Sequence, residues 1–300
     1  MSSSKTVPTR SISSFLTKLI MMRYQRVFLC EGFVDRDVIG RICKKLRPGV
    51  DIEVRMPREV DGSASGRTAC AEIVQHLVQN NAFVYAIEAR SVSIAVYMDR
   101  DVNWLFDAGN SHNRVAVSRG YNIETDVFMS MDLQSAITRT CGIQGLVPSH
   151  CSAADWCGEC YNTIREFCFE RFVVQMLSIR SVKGFGHLCN PAQWPPVDVQ
   201  PRFQSEIHAQ IAARGLSPHD QIEILRDWHS QLGQAHGFAA LVNGKCFESA
   251  FVAYVCDLAR SYGRTVQKPF VQSVCMLSVV ESCDFQLPEF YSIRQAVTLL

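Results

Sequence analysis

Hydrophobic positions fall into two textures along the chain. Up to about residue 126, short apolar runs alternate with helical repeats; beyond it, helical spacing dominates. Arg26-Val27-Phe28-Leu29-Cys30 has the length and continuity of a strand buried on both faces. From Asp35 to Leu46, residues Val38, Ile39, Ile42, Cys43 and Leu46 recur at helical spacing, and Pro48-Gly49 stops that helix. Asp51 to Met56 alternates as a strand that Pro57 ends. A loop over Asp61-Gly62-Ser63-Ala64-Ser65-Gly66-Arg67 leads into a helix from about Thr68 to Gln79, closed by Asn80-Asn81. Phe83 to Ile87 forms a short element of its own, Val92 to Met98 a second apolar strand, and Val115 to Ser118 a third. That order, close to β-α-β-α-β-β, predicts an α/β fold with a mostly parallel sheet and helices on its faces.

The second half predicts helices over Val127 to Thr138, Tyr161 to Val182, Gln204 to Arg214, Pro218 to Leu232 and Phe247 to Tyr262. Ser217-Pro218-His219-Asp220 is a helix start: Ser as N-cap, Pro in the first turn, and an acid beside it. Four prolines between Asn190 and Pro201 make that stretch a loop. Three segments follow: an N-terminal helix or extension over 1–22, an α/β domain over 23–126, and a helical domain over 127–300. The first of these is Ser-rich, basic and free of acids, as presequences are. Its apolar part is short and contains Lys18, however, and Phe15, Leu16, Leu19 and Ile20 are spaced for an amphipathic surface helix.

Charge and cysteine content narrow the class. Charged residues or histidines interrupt every apolar stretch before the ~20 residues that span a bilayer, so no membrane segment is expected. Residues 1–70 hold thirteen Lys/Arg against seven Asp/Glu, whereas the whole chain sums to +1; the basic excess therefore lies in the first quarter, where it permits a phosphate-binding face. Thirteen cysteines, odd in number and scattered through apolar patterns, read as reduced thiols in a cytoplasmic protein. Cys30, Cys43, Cys70, Cys168, Cys256 and Cys275 have the surroundings of small buried hydrophobes. His150-Cys151 and Cys157-Gly158-Glu159-Cys160 contain zinc-type donors, but the adjacent His-Cys pair suits one ion poorly, and no zinc is assigned.

The chemistry concentrates where two apolar strands end on acids. Glu31-Gly32 closes the first run, and Asp99-Arg100-Asp101 closes the run Ser93 to Met98. In an open α/β sheet the carboxyl ends of the strands form the ligand crevice. Three carboxylates converging there would hold a hard cation such as Mg²⁺, suited to phosphodiester chemistry. The competing reading makes them loop acids that cap helices. Asp35 serves equally well as the first-turn acid of its own helix. Lys245, after a glycine at a helix start, either neutralises charge on a phosphate or is a surface lysine, and Arg67 at another helix start could meet a phosphate. The Gly62 to Gly66 loop lacks the Gly-Lys-Ser/Thr ending of a nucleotide-binding loop.

At these residues the chain resembles the TOPRIM superfamily, the catalytic fold of type IA topoisomerases, bacterial primases and OLD-type nucleases, marked by a strand ending in Glu-Gly and a later one ending in Asp-x-Asp. Phe28-Leu29-Cys30-Glu31-Gly32-Phe33-Val34-Asp35 followed by Met98-Asp99-Arg100-Asp101 is most similar to the OLD-like branch, in which a second acid lies four residues after the Glu; Asp35 fills that position. Tyr121-Asn122-Ile123-Glu124 resembles an element of one subgroup, the AriB-type effectors of PARIS anti-phage systems, which are of similar size and have a helical C-terminal half. The resemblance covers roughly residues 26–126 by motif.

It implies a Rossmann-like TOPRIM domain followed by a mainly helical domain, and a divalent-metal-dependent endonuclease. Two Mg²⁺ or Mn²⁺ ions would be held by Glu31, Asp35, Asp99, Asp101 and Glu124, with Glu31, Asp99, Asp101 and Lys245 catalytic. It further implies structured RNA such as tRNA as the favoured substrate, DNA being the other choice. An ABC-type, AriA-like ATPase would be the sensor subunit that silences the enzyme, and a homodimer would form on release. Topoisomerase and primase are disfavoured, since no zinc ribbon or strand-passage domain is evident. The alternative is a non-catalytic TOPRIM shell that binds an ATPase partner or nucleic acid.

Overall fold

The computed structural model describes residues 9–62, 66–100, 112–177, 194–195 and 200–300, with side chains throughout except at 9–11, 66, 67 and 200–203. The chain divides into two compact units: residues 1–99, 106–118 and 290–300 form one, and residues 100–105 and 119–289 the other.

The first unit is an α/β sheet domain. Helix α1 (Thr9–Met21) precedes strand β1 (Arg26–Leu29), helix α2 (Phe33–Leu46), strand β2 (Glu53–Arg55), a short helix α3 (Pro57–Val60), helix α4 (Gly66–Gln79) and strands β3 (Val84–Ile87), β4 (Arg90–Met98) and β5 (Val115–Val117). Strand β1 pairs in parallel with β2 on one side and with β4 on the other, Leu29 standing opposite Arg55 and Val96. Strand β3 pairs antiparallel with the first residues of β4, and β5 parallel with the last. The element at 83–87 is thus a hairpin partner of β4, joined through Glu88 in a left-handed turn.

Side chains alternate across the sheet, so Val27, Leu29, Val92, Ile94 and Val96 share one face. Against that face pack Ile73, Val74 and Leu77 of α4 and Phe15, Leu16 and Leu19 of α1. The expected amphipathic helix at the N-terminus is present, with its apolar face of Phe15, Leu16, Leu19 and Ile20 buried and Ser13 and Ser14 exposed. Burying four such side chains is worth about 6–12 kcal/mol gross of the entropy cost, so α1 belongs to the core of this unit. Helix α12 (Tyr291–Thr298) packs against α2 and β5, and Ser292 Oγ donates to the Val117 carbonyl at 2.7 Å.

The elements described in the second unit are helices: α5 (Ile123–Ser130), α6 (Leu133–Cys141), α7 (Ala153–Met176), α8 (Gln200–Ala212), α9 (Pro218–His236), α10 (Gly244–Ser261) and α11 (Lys268–Glu281). Its core is aromatic, with Phe128, Trp156, Phe247 and Phe251 at ring separations of 5.6–6.1 Å. The single helix expected over 127–138 is two. Asp132 caps α6 by accepting from Ser135 N at 2.7 Å, and its own amide donates to Ser282 O at 2.9 Å, which holds the chain extended at Met131.

The units also differ from the three expected segments. The helical unit takes in residues 100–105 and runs from 119 rather than 127, where Asn122 caps α5 inside the stretch assigned to the sheet domain. Residues 290–300 return to the sheet unit, because α12 covers it, and residues before 22 are part of that unit. No described helix is long and apolar enough to cross a membrane.

Candidate functional site

The parallel pairing of β1 with β4 decides the geometry at the carboxyl edge of the sheet. Both strands run in one direction with Leu29 opposite Val96, so the residues that follow them, Glu31 and Asp99, emerge side by side. The Asp99 amide donates to Glu31 Oε1 at 3.2 Å, and the buried Tyr97 hydroxyl donates to Asp99 Oδ1 at 3.0 Å. Both acids are half-buried. Main chain and tyrosine thus fix two carboxylates on adjacent strand ends.

Asp35 stands beside them but faces its own helix. Its Oδ2 accepts from Gly32 N at 2.8 Å and from Glu31 N at 3.1 Å, closing the first turn of α2. Burial raises its pKa, and those two amide bonds oppose the rise. The helix-capping reading of Asp35 describes these bonds, and the same bonds pin the Glu31-Gly32 backbone.

The negative field of this edge registers on two buried thiols. The Cys70 pKa is raised first by burial and then by Glu31, Cys30, Asp35 and Asp99, and that of Cys30 by burial, Asp35 and Glu59 ahead of Glu31. Three carboxylates therefore act on one buried sulfur. Hard oxygen donors of this kind suit Mg²⁺ in type. Among the described residues no group of three or more His, Cys, Asp or Glu is placed to hold a metal. Asp101, the expected third ligand, lies outside the described residues, as does the Arg67 side chain.

Beside the acids is a rim that the sequence reading did not single out. Phe33, two residues past Glu31, is 60% exposed, and the guanidinium carbons of Arg58 and Arg36 lie 4.7 and 5.1 Å from its ring centre. Arg36 is held by Glu59 at 2.6 Å. The only sequence signal was an aromatic at the first position of an amphipathic helix.

In the helical unit, the start of α10, where Lys245 lies, meets Glu124 at Gly244. A Cβ on Gly244 would lie 2.4 Å from Glu124 Cβ and 2.5 Å from Thr125 N, so α10 approaches α5 more closely than any side chain permits. Asn122 fixes this crossing: its Oδ1 accepts from Thr125 N at 3.2 Å, Thr125 Oγ1 at 2.8 Å and Gly244 N at 3.0 Å. Glu124 is half-buried and Lys245 exposed. The Lys245 charge partly offsets the burial that raises the Glu248 pKa.

Asp126, buried in the same segment, accepts from Gly120 N at 2.6 Å and Arg119 N at 2.9 Å; burial outweighs those bonds and pushes its pKa up to about 7. The zinc-type residues do not assemble. Cys157 and Cys160 are buried on α7, Cys151 is exposed, and His150 Nε2 lies 2.6 Å from Glu159 Oε2. No family model and no curated protein matches the chain.

Proposed function

We propose that the chain is a divalent-metal-dependent endonuclease of the TOPRIM type, in the OLD-like branch and of the AriB kind. Structured RNA such as tRNA is its favoured substrate. The observation that carries this reading is the placement of Glu31 and Asp99 on adjacent parallel strand ends, tied by the Asp99 amide. Such an edge is where α/β sheets bind ligands.

Glu31 and Asp99, with Asp101, would hold Mg²⁺ or Mn²⁺, which when bound supplies Lewis-acid activation of water and of a phosphate oxygen. Asp35 positions the Glu31-Gly32 backbone through its two amide bonds. Phe33 with Arg36 and Arg58 offers a ring face and positive charge next to the acids, a combination that suits an unpaired base and its phosphates. As an effector of this kind, the chain would be held silent by an AriA-like ABC-type ATPase, be released during infection in the cytoplasm, and dimerise on release.

The test is digestion of bulk tRNA, single-stranded RNA and plasmid by the purified protein with Mg²⁺ or Mn²⁺. Cleavage is expected to stop with EDTA and to fall below detection in Glu31→Gln and Asp99→Asn, with calorimetric metal affinity reduced in both. Cleavage at wild-type rates by Glu31→Gln would refute the assignment. A second reading is a non-catalytic shell that binds a partner. It predicts a folded chain without activity on any of the three substrates.

A further inference from the structure

The sheet unit carries another polar feature at the edge opposite Glu31 and Asp99. Where β1 and β4 begin, an open cavity of about 650 Å³ is lined by Arg23, Arg26, Arg90, Gln25, Ser91 and Ser93 among others. Arg26 opens the strand that Glu31 follows, and Arg90 opens the strand that Asp99 follows. Five residue steps of extended chain put Arg26 and Glu31 roughly 16 Å apart, so this cavity is a separate place on the same sheet.

Among the described residues its lining has no Asp or Glu side chain, though Leu300 contributes to it. Arg23 and Arg90 are exposed, and neither forms an ion pair among the described residues. Arg26 donates its Nε to the Leu300 main-chain oxygen at 2.6 Å. Behind the wall, Arg114 donates to Ser93 Oγ and, at 3.5 Å, to the Ile94 carbonyl, with no carboxylate partner among the described residues. Ser93 Oγ therefore accepts from Arg114 and keeps its own proton to donate into the cavity. The last carbonyls of α1, which would repel an anion, are already taken by the amides of Met22, Arg23 and Tyr24.

We propose that this cavity is a binding site for a phosphate-bearing anion of two or more negative charges, gripped by Arg23, Arg90 and Arg26 with Ser93 as hydroxyl donor. Three arginines line one cavity, Arg26 already engaged by the oxygen of Leu300 and Arg23 and Arg90 without an ion pair among the described residues, and their guanidinium groups present the forked donors that match phosphate oxygens. The phosphates are those of a free polyphosphate or of a nucleic-acid backbone. The site does not depend on the nuclease reading, since none of its residues belongs to the acidic edge.

The experiment titrates inorganic pyrophosphate, and separately a single-stranded oligonucleotide, into the full chain by calorimetry. Wild type, Arg23→Glu/Arg90→Glu, the milder Arg23→Gln/Arg90→Gln, and Glu31→Gln are compared, with circular dichroism as the folding control. Pyrophosphate affinity should fall about tenfold or more in the charge-reversed variant, less in the Gln pair, and not at all in Glu31→Gln. Oligonucleotide affinity that falls with it, with a log–log salt slope shallower by about 1.4 for two lost contacts, assigns the phosphates to a nucleic-acid backbone. Loss for pyrophosphate alone assigns them to a free polyphosphate. Absence of binding by both probes, or binding that the folded Arg variants leave unchanged, would overturn the proposal.

Discussion

Replacing Asn122 with Ala removes one oxygen that three donors share, and the cost can be worked from the contacts. The Thr125 amide loses its N-cap, worth about 1 kcal/mol. The Gly244 amide, buried at the start of α10, loses its partner, and an unsatisfied buried donor costs about 1–3 kcal/mol. The third donor adds little, because the Thr125 hydroxyl also lies 2.8 Å from the Val242 carbonyl and can turn its single proton there. The expected loss is therefore about 2–4 kcal/mol. Asn122→Asp keeps the acceptor and places negative charge at two helix N-termini, so it should lose less than half as much. Urea unfolding followed by tryptophan fluorescence, to which the buried Trp156 of the same unit contributes, measures both. An Ala variant that loses under about 1 kcal/mol, or an Asp variant that loses as much as Ala, would refute the idea that a shared acceptor holds this crossing.

Asp126→Asn places an amide NH₂ against one of two backbone N–H donors and should cost about 1–3 kcal/mol at neutral pH by urea midpoint. Because burial raises the Asp126 pKa to about 7, its folded form keeps a proton that the unfolded chain has released, so its contribution is greatest below the unfolded value near 3.8 and falls as pH rises towards 7. The Asn variant should lose that slope, and an unchanged slope between pH 5 and 8 would count against it. His229 behaves in the opposite sense: burial against Phe169 and Phe172 lowers its pKa to about 4, so its contribution is intact above the ordinary histidine value and is lost as pH falls from 6.5 towards 4. Its Nε2 is buried with no hydrogen-bond partner among the described residues, so His229→Leu should cost little at pH 8 and gain about 2 kcal/mol relative to wild type at pH 5; equal stability differences at both pH values would remove histidine as the cause. Under the proposed nuclease reading, in which the family resemblance makes Lys245 catalytic, Lys245→Ala should lower kcat about 10²-fold with metal affinity unchanged, the scale for one lost electrostatic contact at the chemistry, and wild-type single-turnover rates would remove Lys245 from that role.

What could be read from the chain without coordinates was what is written locally. The Ser217-Pro218 start is obeyed, Ser217 accepting from the Asp220 amide, because an N-cap and its target are three residues apart. The β1, α2, β2, α4 and β4 pattern holds because strand length and helical period are each complete within about a dozen residues. The acidic edge was legible for a related reason: two apolar strands joined by crossover helices run parallel, and parallel neighbours deliver their final residues to one edge. Helix α11 escaped notice because Phe270, Val271, Val274, Cys275, Met276, Leu277, Val279 and Val280 are apolar nearly all round, which hides the period that would expose a helix.

The features that resisted reading are those in which one residue answers to another far along the chain. An amphipathic stripe on α1 says that a face is to be covered, but not by what, and the cover is the sheet of its own unit. Asn122 reads as an ordinary cap for Thr125; that it also accepts from Gly244, 122 residues later, depends on α10 approaching α5 within a distance only glycine allows. Gly244 in turn reads as a helix start, although its real constraint is the Glu124 backbone that leaves no room for a Cβ. Asp35 lies between these cases. Its spacing from Glu31 fits both a metal ligand and a helix cap, and a carboxylate has two oxygens. Oδ2 is committed to the amides of Glu31 and Gly32, which makes Asp35 the residue that shapes the Glu31 backbone whatever the acids go on to bind.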